Sequence, residues 1–406
     1  MGKKAKFMIV AGEPSGDGHA ARLVRALRET EPDTEFEFFG SAGESMKSEG
    51  VDAVVDAGRL AIIGGLEIAR ELPMFLGAFR KLKAAANERS PDAVLLIDFP
   101  DFNLRLARSL KKKGHRVIYY ISPQVWAWKK FRVRHIRKYV DLLISILPFE
   151  KDFYEEHGFD RVAYAGSPIA AEVRAVRDRT AFRESHRIPA GARLVALLPG
   201  SRRVEIERIL PEMLSAALRL KASDPGIRFV LPLASTRSLE EVVDAARASG
   251  LNREELRELV IVVKGETYDA VAASDAAAVA SGTATLETAV LGTPMVIVYK
   301  ASALNYALLR PLISIDTFGL VNLVAGRKVA KELIQRDFTP ETLAREISML
   351  LENDRNLEMR KELAEVKNAL AGENASANAA RLILDEIRAG QAPLAVSSDT
   401  SFSGSP

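Results

Sequence analysis

Cysteine is absent from this 406-residue chain, which excludes disulfides, thiolate metal sites and cysteine nucleophiles. Five scattered histidines leave little for a zinc cluster. Long apolar runs are missing too. The longest stretches without a charge, Val117 to Trp128 and Thr288 to Tyr299, span twelve residues, whereas a membrane-spanning helix needs about 20. The N-terminal MGKKAKFMIVAGEPSGD has basic residues before an apolar run of only five, too short for a signal-peptide core, so export is not expected and a cytoplasmic location is. An excess of one charge is lacking as well. Lys and Arg number 57 against 54 Asp and Glu, a net charge of +3, too balanced for a general nucleic-acid binder. No Asp-x-Asp triplet occurs, so the carboxylate pair that commonly bridges a nucleotide sugar through a metal is missing. Neither a resident metal nor an organic cofactor is expected.

What is present is a globular composition, 48% apolar and 27% charged, long enough for two or three domains. Apolar runs suited to buried parallel strands alternate with amphipathic segments: FMIVAG at 7–12, FEFFG at 36–40, AVLLI at 93–97, VIYYIS at 117–122 and LLISIL at 142–147. The stretch 166–191 loses that rhythm and reads as a linker. The rhythm resumes with LVALLPG at 194–200, RFVLPL at 228–233, LVIVV at 259–263, AAAVASG at 276–282 and MVIVY at 295–299. Residues 339–388 are helical throughout, and 389–406 read as a disordered tail. Two α/β domains are therefore expected to face each other across a cleft, with ligands held by loops at the C-terminal ends of the strands.

Five loops carry polar chemistry. After the first strand, GEPSGDG has glycines spaced unlike the dinucleotide fingerprint GxGxxG. Here Glu13, Ser15, Gly16 and Asp17 either contact a ligand or make a tight turn with Ser15 or Asp17 as helix cap. After AVLLI, Asp101 sits where a cap belongs, but Asp98 does not. A carboxylate there, flanked by Phe99 and Pro100, is partly desolvated, which raises its pKa toward the range of a general base; pairing with Lys or Arg is the alternative. Trp126 and Trp128, either core or wall residues or, with Trp126 in contact, a seat for a sugar phosphate carrying acyl chains, precede KKFRVRHIRK, in which six of ten residues are basic. That segment suits either a solvated helix face or an anionic surface. In LPGSRR, Arg202 and the opening of a helix read as a phosphate clamp. In ASGTATLE, where Ser281, Gly282 and Thr283 are candidate substrate-binding residues, the amides at 282 to 285 are placed to hold a diphosphate, and Glu287 either accepts hydrogen bonds from ribose hydroxyls or is a surface charge.

In order, GEPSGD, IDFPDFN, SPQVWAWK, LPFEKDFY, LLPGSRRVEIE, ASGTATLE and VNLVAGR resemble the motifs of the lipid-A-disaccharide synthase family over residues 7–385. The resemblance implies a GT-B type α/β fold. Residues 1–168 would form a Rossmann-like acceptor and membrane-facing domain, 169–338 a Rossmann-like UDP-sugar domain, and 339–388 helices packing across the domains or between subunits. It implies inverting transfer of 2,3-diacylglucosamine from UDP-2,3-diacylglucosamine to 2,3-diacylglucosamine 1-phosphate, giving a β-1,6 disaccharide and UDP. By the same resemblance Asp98 is the base for the 6-hydroxyl, Arg202 supports the diphosphate, Asn322 lines the site, and Glu287 with the Gly282 loop holds UDP. Phe99 stands where the family usually has a branched or small residue.

The segment 59–83 also gains meaning. Leu66, Leu72, Phe75, Leu76 and Phe79 lie near one helical stripe beside Arg70, Arg80, Lys81 and Lys83, with Pro73 dividing it into two short helices. Such a stripe either enters the first domain's core or lies on an anionic inner-membrane surface as a peripheral contact. A homodimer fits the C-terminal helices. Competing readings are a UDP-N-acetylglucosamine epimerase-like isomerase, a glycosyltransferase with a polyprenyl-linked acceptor, and a nucleotide-sugar sensor without turnover.

Overall fold

Apolar runs of four or five residues, bounded by glycine or polar turns, become strands with both faces covered by helices, which is how parallel sheets bury themselves. The structure, a computed structural model, describes residues 3–61, 68–127, 130–301, 317–371 and 374–391. The chain opens with β1 (Lys3–Val10), α1 (Pro14–Thr30), β2 (Thr34–Ala42), α2 (Glu44–Ser48), β3 (Asp52–Asp56), α3 (Ala57–Ala61) and α4 (Ile68–Arg89). It continues through β4 (Ala93–Ile97), α5 (Pro100–Lys111), β5 (Val117–Tyr120), α6 (Arg132–Tyr139), β6 (Leu142–Ser145), α7 (Pro148–Glu156) and β7 (Val162–Tyr164). Two short helices, α8 (Pro168–Glu172) and α9 (Arg179–Ser185), occupy the stretch expected as a linker. The second unit runs β8 (Leu194–Leu198), α10 (Arg203–Ser223), β9 (Arg228–Leu233), α11 (Leu239–Ala248), α12 (Arg253–Leu259), β10 (Val260–Lys264) and α13 (Thr267–Ala272). It then follows β11 (Ala276–Ala280), α14 (Ala284–Val290), β12 (Met295–Tyr299), α15 (Leu320–Ala325) and β13 (Lys331–Ile334). Three helices close the described chain: α16 (Pro340–Leu350), α17 (Asn353–Leu370) and α18 (Ala375–Gln391).

The strands form two sheets, in the orders β3-β2-β1-β4-β5-β6-β7 and β10-β9-β8-β11-β12-β13, and their pairings are parallel. In each sheet the winding direction reverses beside the first strand, between β1 and β4 and between β8 and β11. Chains leaving adjacent strands at such a switch point splay to opposite faces and open a crevice at the strand C-termini. The register sets Val10 beside Leu96 and Leu198 beside Val279, so the loops that follow these strands start side by side.

The C-terminal helices divide their packing. Met359, Leu363, Val366 and Leu370 of α17 join the second domain's core, whereas Ala379, Ala380, Ile383, Leu384 and Ile387 of α18 join the first domain's core beside α1. Arg116 donates to the carbonyls of Glu386 and Ile387 at 2.9 and 3.1 Å, occupying acceptors at the end of α18. The chain thus crosses back over its own first domain. Residues 392–406, most of the tail expected to be disordered, lie outside the described residues.

One expectation about 59–83 is corrected. Pro73 does not split the segment: α4 is one helix of 22 residues with Pro73 in its second turn. The ring removes one backbone hydrogen bond there, and the rest of the helix is held by Ala78, Leu82, Ala85 and Ala86, which pack into the core beneath the sheet. Leu66 and the side chains of Arg70 and Leu72 lie outside the described residues.

Candidate active site

In the first domain two loops interlock. A Cβ at Gly12 would lie 2.3 Å from the Phe99 ring, so only glycine permits this approach. Phe99 stacks at 5.4 Å on Phe102 and at 6.3 Å on Phe75, forming an aromatic wall. Asp98 and Phe99 both have left-handed backbone, φ 46° and 49°, a costly pair for residues with side chains. The turn is pinned from behind. Asn103 donates to the Asp98 carbonyl at 2.9 Å and the Ile97 carbonyl at 3.2 Å, and the Tyr119 hydroxyl donates to the Asp98 carbonyl as well. Burial, and after it the nearby Glu13 carboxylate, push the Asp98 carboxyl up to about 6. No cation pairs with Asp98 among the described residues, so it is poised as a proton acceptor at neutral pH.

The remaining residues singled out in these loops part company. Glu13 and Ser15 are exposed, and Gly16 is buried within the first turn of α1. Asp17 is corrected from ligand contact or cap of α1 to a structural group. Its buried carboxylate accepts from the amides of Gly43 at 2.7 Å, Ser45 at 2.8 Å and Met46 at 3.4 Å, closing the start of α2. Asp101 is not a helix cap either. Phe99 holds that position without a side-chain bond, and Asp101, the second residue of the helix, ion-pairs with Arg132 of the basic run.

Between the domains lies a cavity of about 1090 Å³. It is lined from the first domain by Gln124, Trp126 and Ala127 and from the second by the loops following β8 to β12. Ser281, Gly282, Thr283 and Glu287 all line it. Gly282 has φ +152°, Ser281 Oγ donates to the Phe318 carbonyl at 2.7 Å, and burial raises the Glu287 carboxyl. The amides of Gly282, Thr283 and Ala284 precede the first hydrogen-bonded turn and have no acceptor among the described residues. Asp98 and Glu13 are not among the residues that line this cavity.

The loop expected as a phosphate clamp is already occupied. The amides of Ser201 and Arg202 both donate at 3.0 Å to Glu205 Oε2, and a Cβ at Gly200, φ +114°, would lie 2.2 Å from that oxygen. The chain's own carboxylate sits where the anion was expected, while the Arg202 guanidinium, 83% exposed, remains open to a ligand. Asn322 is corrected more fully. It is 2% exposed, donates to the Ala330 carbonyl at 2.8 Å and Glu332 at 2.9 Å, and accepts from the amides of Val329 and Ala330. Every polar atom is spent fastening α15 to the start of β13. Replacing Asn322 by Ala leaves buried backbone groups unpaired, so a cost of roughly 2–4 kcal/mol and a lower unfolding temperature are expected, read by calorimetry.

Sequence reasoning passed over Tyr268, Tyr299 and Phe318, three aromatic residues that line the cavity. Tyr299 ends β12 and Tyr268 lies just beyond β10; a survey of every residue at or just beyond a strand's C-terminal end would have found these two. Trp128 lies outside the described residues. Among the described residues no three His, Asp or Glu side chains gather into a metal-binding group.

Two facing Rossmann-like domains with this cavity between them define a GT-B fold. The structure superposes on UDP-GlcNAc 2-epimerase from Neisseria meningitidis, solved with UDP-GlcNAc, with a TM-score of 0.62 at 13% identity over 95% of this chain and 100% of that one. It superposes on a glycosyltransferase from Rickettsia africae with a TM-score of 0.55 at 10% identity over 95% and 98%. At such identities the likeness shows the fold alone. A family model described as lipid-A-disaccharide synthetase matches residues 7–387. Lipid-A-disaccharide synthases from Myxococcus xanthus and Syntrophus aciditrophicus are 42% and 45% identical to the chain, covering 95% and 94% of it and 98% and 97% of their own lengths. The chain belongs to the lipid-A-disaccharide synthase family and is a glycosyltransferase.

Proposed function

We propose that the chain transfers 2,3-diacylglucosamine from UDP-2,3-diacylglucosamine to the 6-hydroxyl of 2,3-diacylglucosamine 1-phosphate, with inversion at the anomeric carbon. Asp98 removes the hydroxyl proton as the oxygen attacks C1. The C1–oxygen bond to the diphosphate breaks, and UDP leaves with the electron pair. The Arg202 guanidinium and the amides of Gly282 to Ala284 take up the charge developing on the diphosphate, and Glu287 accepts from the ribose. The observation that carries this reading is a half-buried carboxyl just beyond the C-terminal end of β4, without a cation partner among the described residues and raised to about 6.

The test is an assay with both diacylated sugars, a chelator, and the product linkage determined by NMR. A β-1,6 disaccharide with stoichiometric UDP is expected. Isomerised sugar formed from the donor alone would replace this reading with the isomerase, whose fold is shared.

The acceptor is acylated, and the first domain offers a surface for such molecules at an anionic inner-membrane face. Phe131 is 70% and Leu76 48% exposed. Exposed Arg134, Arg137 and Lys138 flank the first, and Arg80 and Lys81 lie near the second. Among the described residues no helix is long and apolar enough to cross a membrane. Replacing Phe131, Arg134, Arg137 and Lys138 together by Ser is expected to weaken binding to phosphatidylglycerol vesicles at low salt by about tenfold or more, since each basic residue near such a surface contributes about 1 kcal/mol. Unchanged sedimentation with vesicles would remove this surface from the account.

A further inference from the structure

Glu150 is 1% exposed, and no cation pairs with it among the described residues. It stands at the third position of α7, and the Leu147 amide donates back to its Oε2 at 3.4 Å. Such reaching back does not require burial. Glu205, Glu241 and Glu255 hold the equivalent position in α10, α11 and α12 and stay at least partly exposed. Burial brings Glu150 further partners: the Trp126 indole N–H donates to its Oε1 at 3.1 Å, and the Ser122 hydroxyl and the Ile146 backbone also bond the carboxyl.

Trp126 belongs to the loop between β5 and α6, yet it packs into the second domain's core together with Leu147. Its ring meets the Phe149 ring edge to face at 5.1 Å, and Trp126 lines the same cavity as Gly282 and Glu287. Behind it, Ser122 Oγ and the Tyr154 hydroxyl share a hydrogen bond of 2.9 Å. The indole is therefore held at its N–H by a carboxyl and packed against the Phe149 ring, and the small part of it that stays accessible, 5%, borders the cavity. Burial lifts the carboxyl to about 8, so it is largely protonated at neutral pH and accepts the indole hydrogen bond on its carbonyl oxygen. A glutamine offers the same acceptor.

We propose that Glu150 is a positioning residue for the donor, fixing the Trp126 indole as the first-domain wall of the cavity and governing nucleotide affinity rather than the chemical step. This rests on the reading of the cavity as the UDP-sugar site.

The test measures UDP binding by calorimetry, together with donor KM and kcat, for the wild type, Glu150→Gln and Glu150→Leu. Glu150→Gln is expected within about twofold of wild type, while Glu150→Leu weakens UDP and raises donor KM about tenfold with kcat nearly unchanged, the size of effect from one buried hydrogen bond. In a Trp128→Phe background, Trp126 emission should shift to the red in the Leu variant and not in the Gln variant. Unchanged UDP affinity in folded Glu150→Leu, equal loss in both variants, or a fall in kcat at constant KM would each overturn the proposal. Should Glu150→Leu not fold, Trp126→Phe keeps an aromatic ring and removes the N–H donor; unchanged affinity there overturns it equally. A wild-type protein that does not bind UDP defeats the reading of the cavity instead, and leaves that failure distinct from the role of Glu150.

Discussion

Asp98→Asn is expected to lower kcat by about three orders of magnitude or more while leaving UDP affinity intact, and to make the protein more stable. The first effect follows from removing the group that takes the hydroxyl proton, since general bases contribute about 10²–10⁴ in rate. The second follows from linkage. The folded carboxyl titrates near 6, above the model value of 3.8, so the folded state binds a proton more readily than the unfolded chain. Stability from this group is complete below the unfolded pKa, is lost as pH rises through the folded one, and is absent at pH 7. Asn carries no charge and tolerates the left-handed backbone that Asp98 adopts. The gain at pH 7 is about 2–3 kcal/mol, visible as a higher unfolding temperature that disappears near pH 3. In the wild type kcat/KM should rise with pH through about 6 and level off above it. A variant that retains full turnover, or a rate flat from pH 4.5 to 8, would remove Asp98 from the chemistry.

Arg202→Ala is expected to cost about 10²–10³ in kcat, the loss typical when one preorganised donor to a developing anion is removed. The side chain is 83% exposed and its nearest carboxylate oxygen is 3.5 Å away on Glu205, so its removal should leave the unfolding temperature unchanged. Because Glu205 already occupies the amides of Ser201 and Arg202, the backbone cannot substitute for the guanidinium without displacing that carboxylate. Arg202→Lys keeps the charge and loses the fork, and an intermediate rate is expected. Single-turnover measurements at saturating donor read the effect, and full activity in the Ala variant would assign the diphosphate to the Gly282 loop alone.

The legible part of this protein was its buried part. The runs AVLLI, VIYY, LVALL and AAAVA became β4, β5, β8 and β11, each shielded by helices on both faces, so solvent never imposed an alternation. The strands that went unread, β3, β7 and β13, are all sheet edges. Their residues, DAVVD, VAY and KELI, are mostly half-exposed, and edge positions carry charge and short length in place of an apolar run.

Among the site residues, position along the chain was enough to place Asp98 and Gly282 just beyond strand C-termini and Glu287 in the helix that follows, because an α/β chain presents loops there whatever its partners. It was not enough to decide whose atoms each group would meet. Asp17 and Asn322 sit in the opening turns of α1 and α15, and their polar atoms are consumed by Gly43, Ser45, Val329 and Ala330. Glu205 fills an anion seat from one turn away, and Glu150 turns inward to hold an indole 24 residues distant. Local propensity and periodicity report on neighbours in sequence. Whether a carboxylate is poised or already spent depends on burial and on partners brought close only by folding.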